Sequence, residues 1–386
     1  MSPNGHEALS GDQLPMRSIL VLAPLAVVLV TSSLAGCLPT ARPGDGTPTP
    51  AKPSGPSLAP SSPAMSPATE QPASAPASDT PTATPTTEPS AGAPPNALAG
   101  FRWYVDPGSN AARQALAWKN ADPSAARALE QIADQPQADW FTSPDADIRA
   151  VVATRVATIR TAGADPLLVA YAIPRRDCGS YSAGGAASGA AYREWIREFS
   201  RGIGSGPAVV ILEPDALAGL DCLSAAEQAA RFDLLRDAVE VLEAQRGTRV
   251  YLDAGHSAWQ PASVMAERLR RAGVAESDGF SLNVSNFGRT ADEVAYGREI
   301  ATALGGAHFV VDTSRNGQGP AADGAWCNPP GRGLGQPPTT STGVAGVDAY
   351  LWIKRPGESD GTCNGGPSAG TWWPQYAVGL AERASR

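Results

Sequence analysis

Beyond Phe101 the chain alternates short, β-branched apolar runs with longer amphipathic stretches, the rhythm of an α/β fold whose buried strands are covered by helices. The apolar runs predict strands over Leu167–Ile173, Ala208–Leu212, Arg249–Leu252, Gly279–Asn283, His308–Val311 and Ala349–Ile353, with Arg102–Val105 as a candidate first strand. Helical spacing fills the intervals at Asp147–Thr161, Ala190–Ser200, Ala225–Gln245, Ser263–Arg271 and Ala291–Leu304. About seven parallel strands with intervening helices predict a distorted TIM-like (β/α) barrel, and local pattern leaves an open doubly wound sheet as the alternative.

The region ahead of this domain has a different texture. From Leu38 to about Asn96 it is built from Pro, Thr, Ser and Ala, with too little apolar surface to offset the entropy of ordering. An extended tether over 38–97 is expected. Before it, Arg17, an apolar run from Ile19 to Val30 and the small residues of Leu34-Ala35-Gly36 have the layout of a bacterial signal peptide, with Met16 as the expected start. Cys37 follows directly, and the run resembles a lipoprotein box whose thiol is lipidated. A simple cleaved signal or an uncleaved anchor are the alternatives, although the run is short for a span. The expected organisation is a signal over 1–37, a linker over 38–97 and a catalytic domain over 98–386, exported and held at the membrane by lipid on Cys37.

Composition narrows the chemistry. A formal charge of −8 argues against a nucleic-acid partner, which needs clustered Lys and Arg. Only His256 and His308 lie in the domain, too few for an imidazole-rich zinc site. No metal or cofactor is expected, although an all-oxygen calcium or magnesium site stays open. The stretch Gly184–Gly189 lacks the spacing and lysine of a phosphate loop, and no Gly-x-Ser-x-Gly elbow offers a serine nucleophile.

What remains is a series of carboxylates closing the strands: Asp177, Asp215, Asp253 and Asp312, with Asp360 past the last. Parallel barrel strands end on one face, where such folds place their chemistry. Any single aspartate there could be a helix cap, Asp312 above all because Thr313 and Ser314 follow it. The series points to acid/base hydrolysis of a glycoside. Nine tryptophans fit a sugar ligand, with Trp259 and Trp326 in loops near the site and Trp195 at core spacing.

These landmarks, in order, resemble glycoside hydrolase family 6, the cellulases that include endoglucanases and cellobiohydrolases. The resemblance rests on Tyr-Ala-Ile-Pro-Arg-Arg-Asp-Cys from Tyr171 to Cys178, on Leu212-Glu213-Pro214-Asp215, and on Leu252-Asp253-Ala254-Gly255-His256 with Trp259. It continues through Asn283-Val284-Ser285-Asn286, Trp326-Cys327-Asn328 and the segment from Trp352 through Lys354 and Glu358 to Asp360-Gly361.

The resemblance implies that Asp215 is the general acid, that Asp177 tunes it and aids a water chain, and that Asp360 is the other candidate for the base. It further implies inversion, for which the carboxyl groups stand roughly 6.5–9.5 Å apart. Tyr171 crowds the reacting sugar and Ser182 joins the water relay. Asp253, His256, Trp259, Asn283, Trp326, Lys354 and Glu358 match substrate-binding positions. The implied disulfides are Cys178 with Cys222 and Cys327 with Cys363, while the sequence itself leaves the pairings open.

Exo-acting members of that family roof the site with long loops, whereas here only Asn364–Ser368 separates Cys363 from the terminal Gly370-Thr371-Trp372 run. Gly108 also stands where some tunnel-forming members carry an aromatic. Both features predict an open cleft and internal cutting of a β-1,4-glucan by a monomer. A cellobiohydrolase and an inactive surface glucan-binding protein are the alternative readings.

Overall fold

The computed structural model describes residues 96–142 and 147–385. The signal, Cys37 and the tether as far as residue 95 lie outside the described residues.

Seven parallel strands pair in simple sequence order: β1 (Asp139–Phe141), β2 (Leu167–Ala170), β3 (Ala208–Leu212), β4 (Thr248–Asp253), β5 (Gly279–Leu282), β6 (His308–Asp312) and β7 (Val347–Leu351). Eight α-helices accompany them among the described residues: α1 (Asn110–Trp118), α2 (Pro123–Ala133), α3 (Ile148–Thr161), α4 (Gly189–Ile203), α5 (Ala225–Glu243), α6 (Ala262–Arg271), α7 (Thr290–Ala303) and α8 (Pro374–Glu382). The curled sheet is the distorted barrel that the alternation predicts.

Successive side chains of a strand point to opposite faces, and the two faces form separate cores. Leu168, Ala170, Val210, Leu212, Val250 and Leu252 pack among the helices. Val169, Tyr171, Val209, Ile211, Tyr251, Val310 and Leu351 form the other cluster, together with Leu98. Both sets are buried, which is why the strands read as continuous apolar runs rather than alternating ones.

One predicted strand is corrected. Arg102–Val105 is not a strand: Trp103 makes only an isolated bridge to Asp165, and Asp139–Phe141 supplies the first strand by pairing with Leu168–Ala170. No ladder joins β1 to β7 among the described residues. The seam is instead crossed by Ala138 N–H to the Trp352 carbonyl at 3.0 Å and by the Trp140 indole N–H to the Ile353 carbonyl at 2.8 Å.

Candidate active site

The turn after β3 carries the expected acid under strain. Glu213 (φ 51°) and Asp215 (φ 68°) both occupy the left-handed region, at a cost of about 1–3 kcal/mol each. Side chains on either side hold them there. The fully buried Glu213 carboxylate accepts the backbone N–H groups of Ala172 at 2.9 Å and Ile173 at 3.0 Å. Asp253 accepts the Asp215 N–H at 2.9 Å, the Gly255 N–H at 3.0 Å and the Ser281 hydroxyl at 3.2 Å.

Enclosure by protein raises the carboxyl pKa of Asp215 well above its ordinary value, and the charges of Asp253 and Asp177 add to the effect. A hydrogen bond from the Tyr171 side chain works the other way. Burial likewise lifts Glu213 and Asp253 to about 7 each, against the hydrogen bonds they accept. A carboxyl that keeps its proton near neutrality is what a general acid requires.

Asp177 stands on a second strained stretch, with Arg175, Asp177 and Cys178 at positive φ. Its carboxylate accepts the Ser182 N–H at 2.7 Å, and the Ser182 carbonyl accepts Arg176 Nε at 2.7 Å, so the loop closes on itself. Partial burial raises the Asp177 pKa, although Ser182 and Arg176 oppose the shift. The Cys178–Cys222 disulfide ties this loop to the segment after the acid, and Cys327–Cys363 forms as well. Tyr171, 5% exposed, is fixed by the Trp140 edge with ring centroids 5.4 Å apart and by the Arg176 guanidinium 4.6 Å from its ring centroid.

Asp360 lies in a different electrostatic setting. Its burial opposes ionisation, yet Arg315 and Lys354 together hold its pKa below the ordinary value. Arg315 Nη1 sits 2.9 Å from each carboxylate oxygen, Lys354 Nζ 3.5 Å from one of them, and the Asn328 N–H donates to the other at 3.0 Å. Arg315 is fully buried and its guanidinium packs 4.3 Å from the Phe287 ring centroid. Sequence reasoning missed both Arg315 and Glu213, because nothing local marks a charged residue whose partner lies dozens of positions away.

The substrate-binding candidates divide by exposure. Trp326 is 50% exposed and Trp259 is 40% exposed. Tyr181, also exposed, leans from the Asp177 loop onto Trp326 with centroids 5.9 Å apart. It rests over Gly361, where any Cβ would lie 2.4 Å from the tyrosine ring. This contact joins the Asp177 loop to the Asp360 loop.

His256 packs 5.6 Å from Trp259, and burial lowers its pKa to about 4, so it is neutral near pH 7. Its Nδ1 accepts the Ala258 N–H at 3.3 Å, which leaves Nε2 as a donor. Glu358, half-buried, faces Arg355 at 3.5 Å and borders a cavity of about 280 Å³ that also takes in Asp106, Gly108, Asp139 and Trp372 but none of Asp177, Asp215, Asp253, Asp312 and Asp360.

Asp253 and Asn283 are sequestered, at 1% and 0% exposed. Asn283 donates to the Asp312 carbonyl at 2.8 Å and accepts the Gly288 N–H at 2.9 Å. Asp312 accepts three backbone N–H groups, those of Ser285, Ser314 and Lys354. These residues brace the strand-end loops from beneath.

Residues 98–384 match the family model described as Glycosyl hydrolases family 6. The chain belongs to that family. It is 46% identical over 293 residues to Endoglucanase A of Cellulomonas fimi, a match covering 75% of this chain and 62% of that protein. To 1,4-beta-D-glucan cellobiohydrolase C of Emericella nidulans it is 31% identical over 371 residues, covering 77% of this chain and 80% of the relative. Among solved structures, the endoglucanase Cel6 of Mycobacterium tuberculosis, in complex with methyl-cellobiosyl-4-deoxy-4-thio-beta-D-cellobioside, superposes with a TM-score of 0.71. It is 50% identical, and the match covers 75% of this chain and 99% of that one. The chain spans about three-fifths of the length of the first curated endoglucanases it matches, 62% in each case.

Proposed function

We propose that this family 6 protein is an inverting endo-β-1,4-glucanase with Asp215 as its general acid. The observation that carries the reading is the contrast between two carboxyl groups: Asp215 is biased toward its protonated form, while Asp360 is clamped in its charged form by Arg315 and Lys354. Environments that push two carboxyl groups apart define an acid and an electrostatic partner.

In the proposed reaction Asp215 gives its proton to the glycosidic oxygen as the bond from the anomeric carbon breaks. Water attacks that carbon from the opposite face, and its proton leaves by way of Ser182 and Asp177. Asp360, held ionised between Arg315 and Lys354, fixes its own loop. Tyr171 crowds the reacting ring. Asp253 and Asn283 act here through the loops they brace.

Similarity to proteins named as endoglucanases supports internal cutting, as do the exposed indoles of Trp259 and Trp326. An exposed aromatic platform lets a chain settle from the side, whereas a roofed site requires a chain end. The test follows carboxymethylcellulose by viscosity and by reducing ends in parallel. A viscosity drop that outpaces the appearance of reducing ends is expected, and proportional changes would refute endo action.

We also propose export with lipidation of Cys37, supported by the charged, apolar and small-residue run that precedes it.

A further inference from the structure

We propose that Glu293 is a positioning residue for the leaving-group side of the groove, setting the platform of His256 and Trp259 through its grip on Ser257. This inference rests on the glucanase reading above.

Glu293 lies in the first turn of α7, outside every strand-end motif, and is fully buried. Its carboxylate accepts the Ser257 N–H at 3.0 Å and the Ser257 hydroxyl at 2.8 Å. Glu293 forms no ion pair with Lys or Arg among the described residues, and burial raises its pKa to about 7. A buried carboxylate without a cation depends on the donors aimed at it, so Glu293 and the Ser257 segment fix one another. Gly288 abuts the same group: a Cβ there would lie 2.0 Å from Glu293 Oε1.

One turn further along α7, the Tyr296 hydroxyl donates to the Gln260 carbonyl at 2.8 Å. The same helix thus holds the loop at Ser257 and at Gln260, and Trp259 lies between the two grips. The indole packs over Gly255 and Gly219, within 3.4 and 3.7 Å of where their Cβ atoms would stand. Gly219 in turn donates its N–H to the Asp215 carbonyl at 2.8 Å. The platform therefore backs the turn that carries the acid. Because the acid protonates the leaving oxygen, the departing part of the glucan is the part nearest to it.

The experiment compares wild type, Glu293→Ala, Glu293→Gln and Ser257→Ala on cellohexaose and on 2,4-dinitrophenyl β-cellobioside, whose leaving group needs no sugar platform. Removing the carboxylate is expected to raise KM for cellohexaose about tenfold with kcat within about twofold, the signature of lost binding rather than lost chemistry. Cleavage also moves toward bonds with fewer sugars on the leaving side, and turnover of the aryl substrate falls far less. The amide of Glu293→Gln still accepts the Ser257 N–H and restores most of the KM.

An unchanged KM and cleavage pattern in a folded Glu293→Ala protein would overturn the proposal, as would an equal fall in kcat on both substrates, which is the mark of a purely structural role. If Glu293→Ala does not fold, Ser257→Ala removes the hydroxyl contact alone and is read in the same way. A wild type inert on every β-1,4-glucan would instead overturn the glucanase reading.

Discussion

Arg315 Nη1 lies 2.9 Å from both carboxylate oxygens of Asp360, and both side chains are buried. Removing Arg315 leaves the buried Asp360 carboxylate with Lys354 as its remaining cation, so Arg315→Ala is expected to destabilise the fold toward the lower end of about 3–5 kcal/mol at neutral pH. The sign of the pH dependence follows from the depressed pKa of Asp360. Its contribution is present above the unfolded carboxyl value and is lost as pH falls through the folded one. Urea denaturation should therefore show a gap between wild type and variant that is wide at pH 7 and narrows in acid.

Asp215→Asn preserves the shape of the acid but not its proton. Hydrolysis of cellotetraose is expected to fall by about 10²–10⁴-fold, the usual contribution of a positioned acid. Calorimetry should find oligosaccharide binding retained. Loss of both would mean that the substitution disturbs the strained turn rather than the chemistry.

The raised pKa of Asp215 places the alkaline limb of the kcat profile above the ordinary carboxyl range, because activity is lost as pH rises through its folded value. Asp177 is one of the charges that raise it, after burial and Asp253. In Asp177→Asn that limb should move to lower pH while kcat also falls from damage to the proposed water relay. A lower kcat with an unmoved limb would separate the two roles.

The Cys178–Cys222 bridge closes 44 residues of chain, a constraint worth about 4 kcal/mol in the loop-entropy account. Replacing both cysteines by serine is expected to lower stability by about 2–5 kcal/mol and to reduce kcat, because Asp177 is next to the bridge. Thermal unfolding and turnover of the double variant check both effects.

Cys37→Ser should release the enzyme from the membrane fraction of its producing cell into the medium and abolish incorporation of labelled palmitate. Labelling that persists without Cys37 would remove the lipid-anchor reading.

Much of this architecture was legible before any coordinates. The six longer strands read clearly because they are buried on both faces, and the aspartates read clearly because Asp253 and Asp312 close their strands while Asp177, Asp215 and Asp360 lie in the loops that follow theirs. β1 escaped notice because it is a three-residue strand, Asp139-Trp140-Phe141, that opens on a charged residue. α1 and α2 carried usable signals that sequence reading passed over, namely Ser109 capping the first and Asp122 with Pro123 opening the second. The supporting charges were not legible. Glu213 and Ala172 are 41 positions apart, and Arg315 and Asp360 are 45 apart. Only the curled sheet, which brings the ends of different strands together, makes them neighbours.

The central claim, internal hydrolysis of a β-1,4-glucan with inversion by Asp215, meets its most direct test in the first products of cellohexaose resolved by anomer. The account predicts cleavage of interior bonds, α-anomers at the newly formed reducing ends, and product formation by Asp215→Asn slowed by about 10²–10⁴-fold. Newly formed β-anomers, or release confined to one chain end, would contradict it.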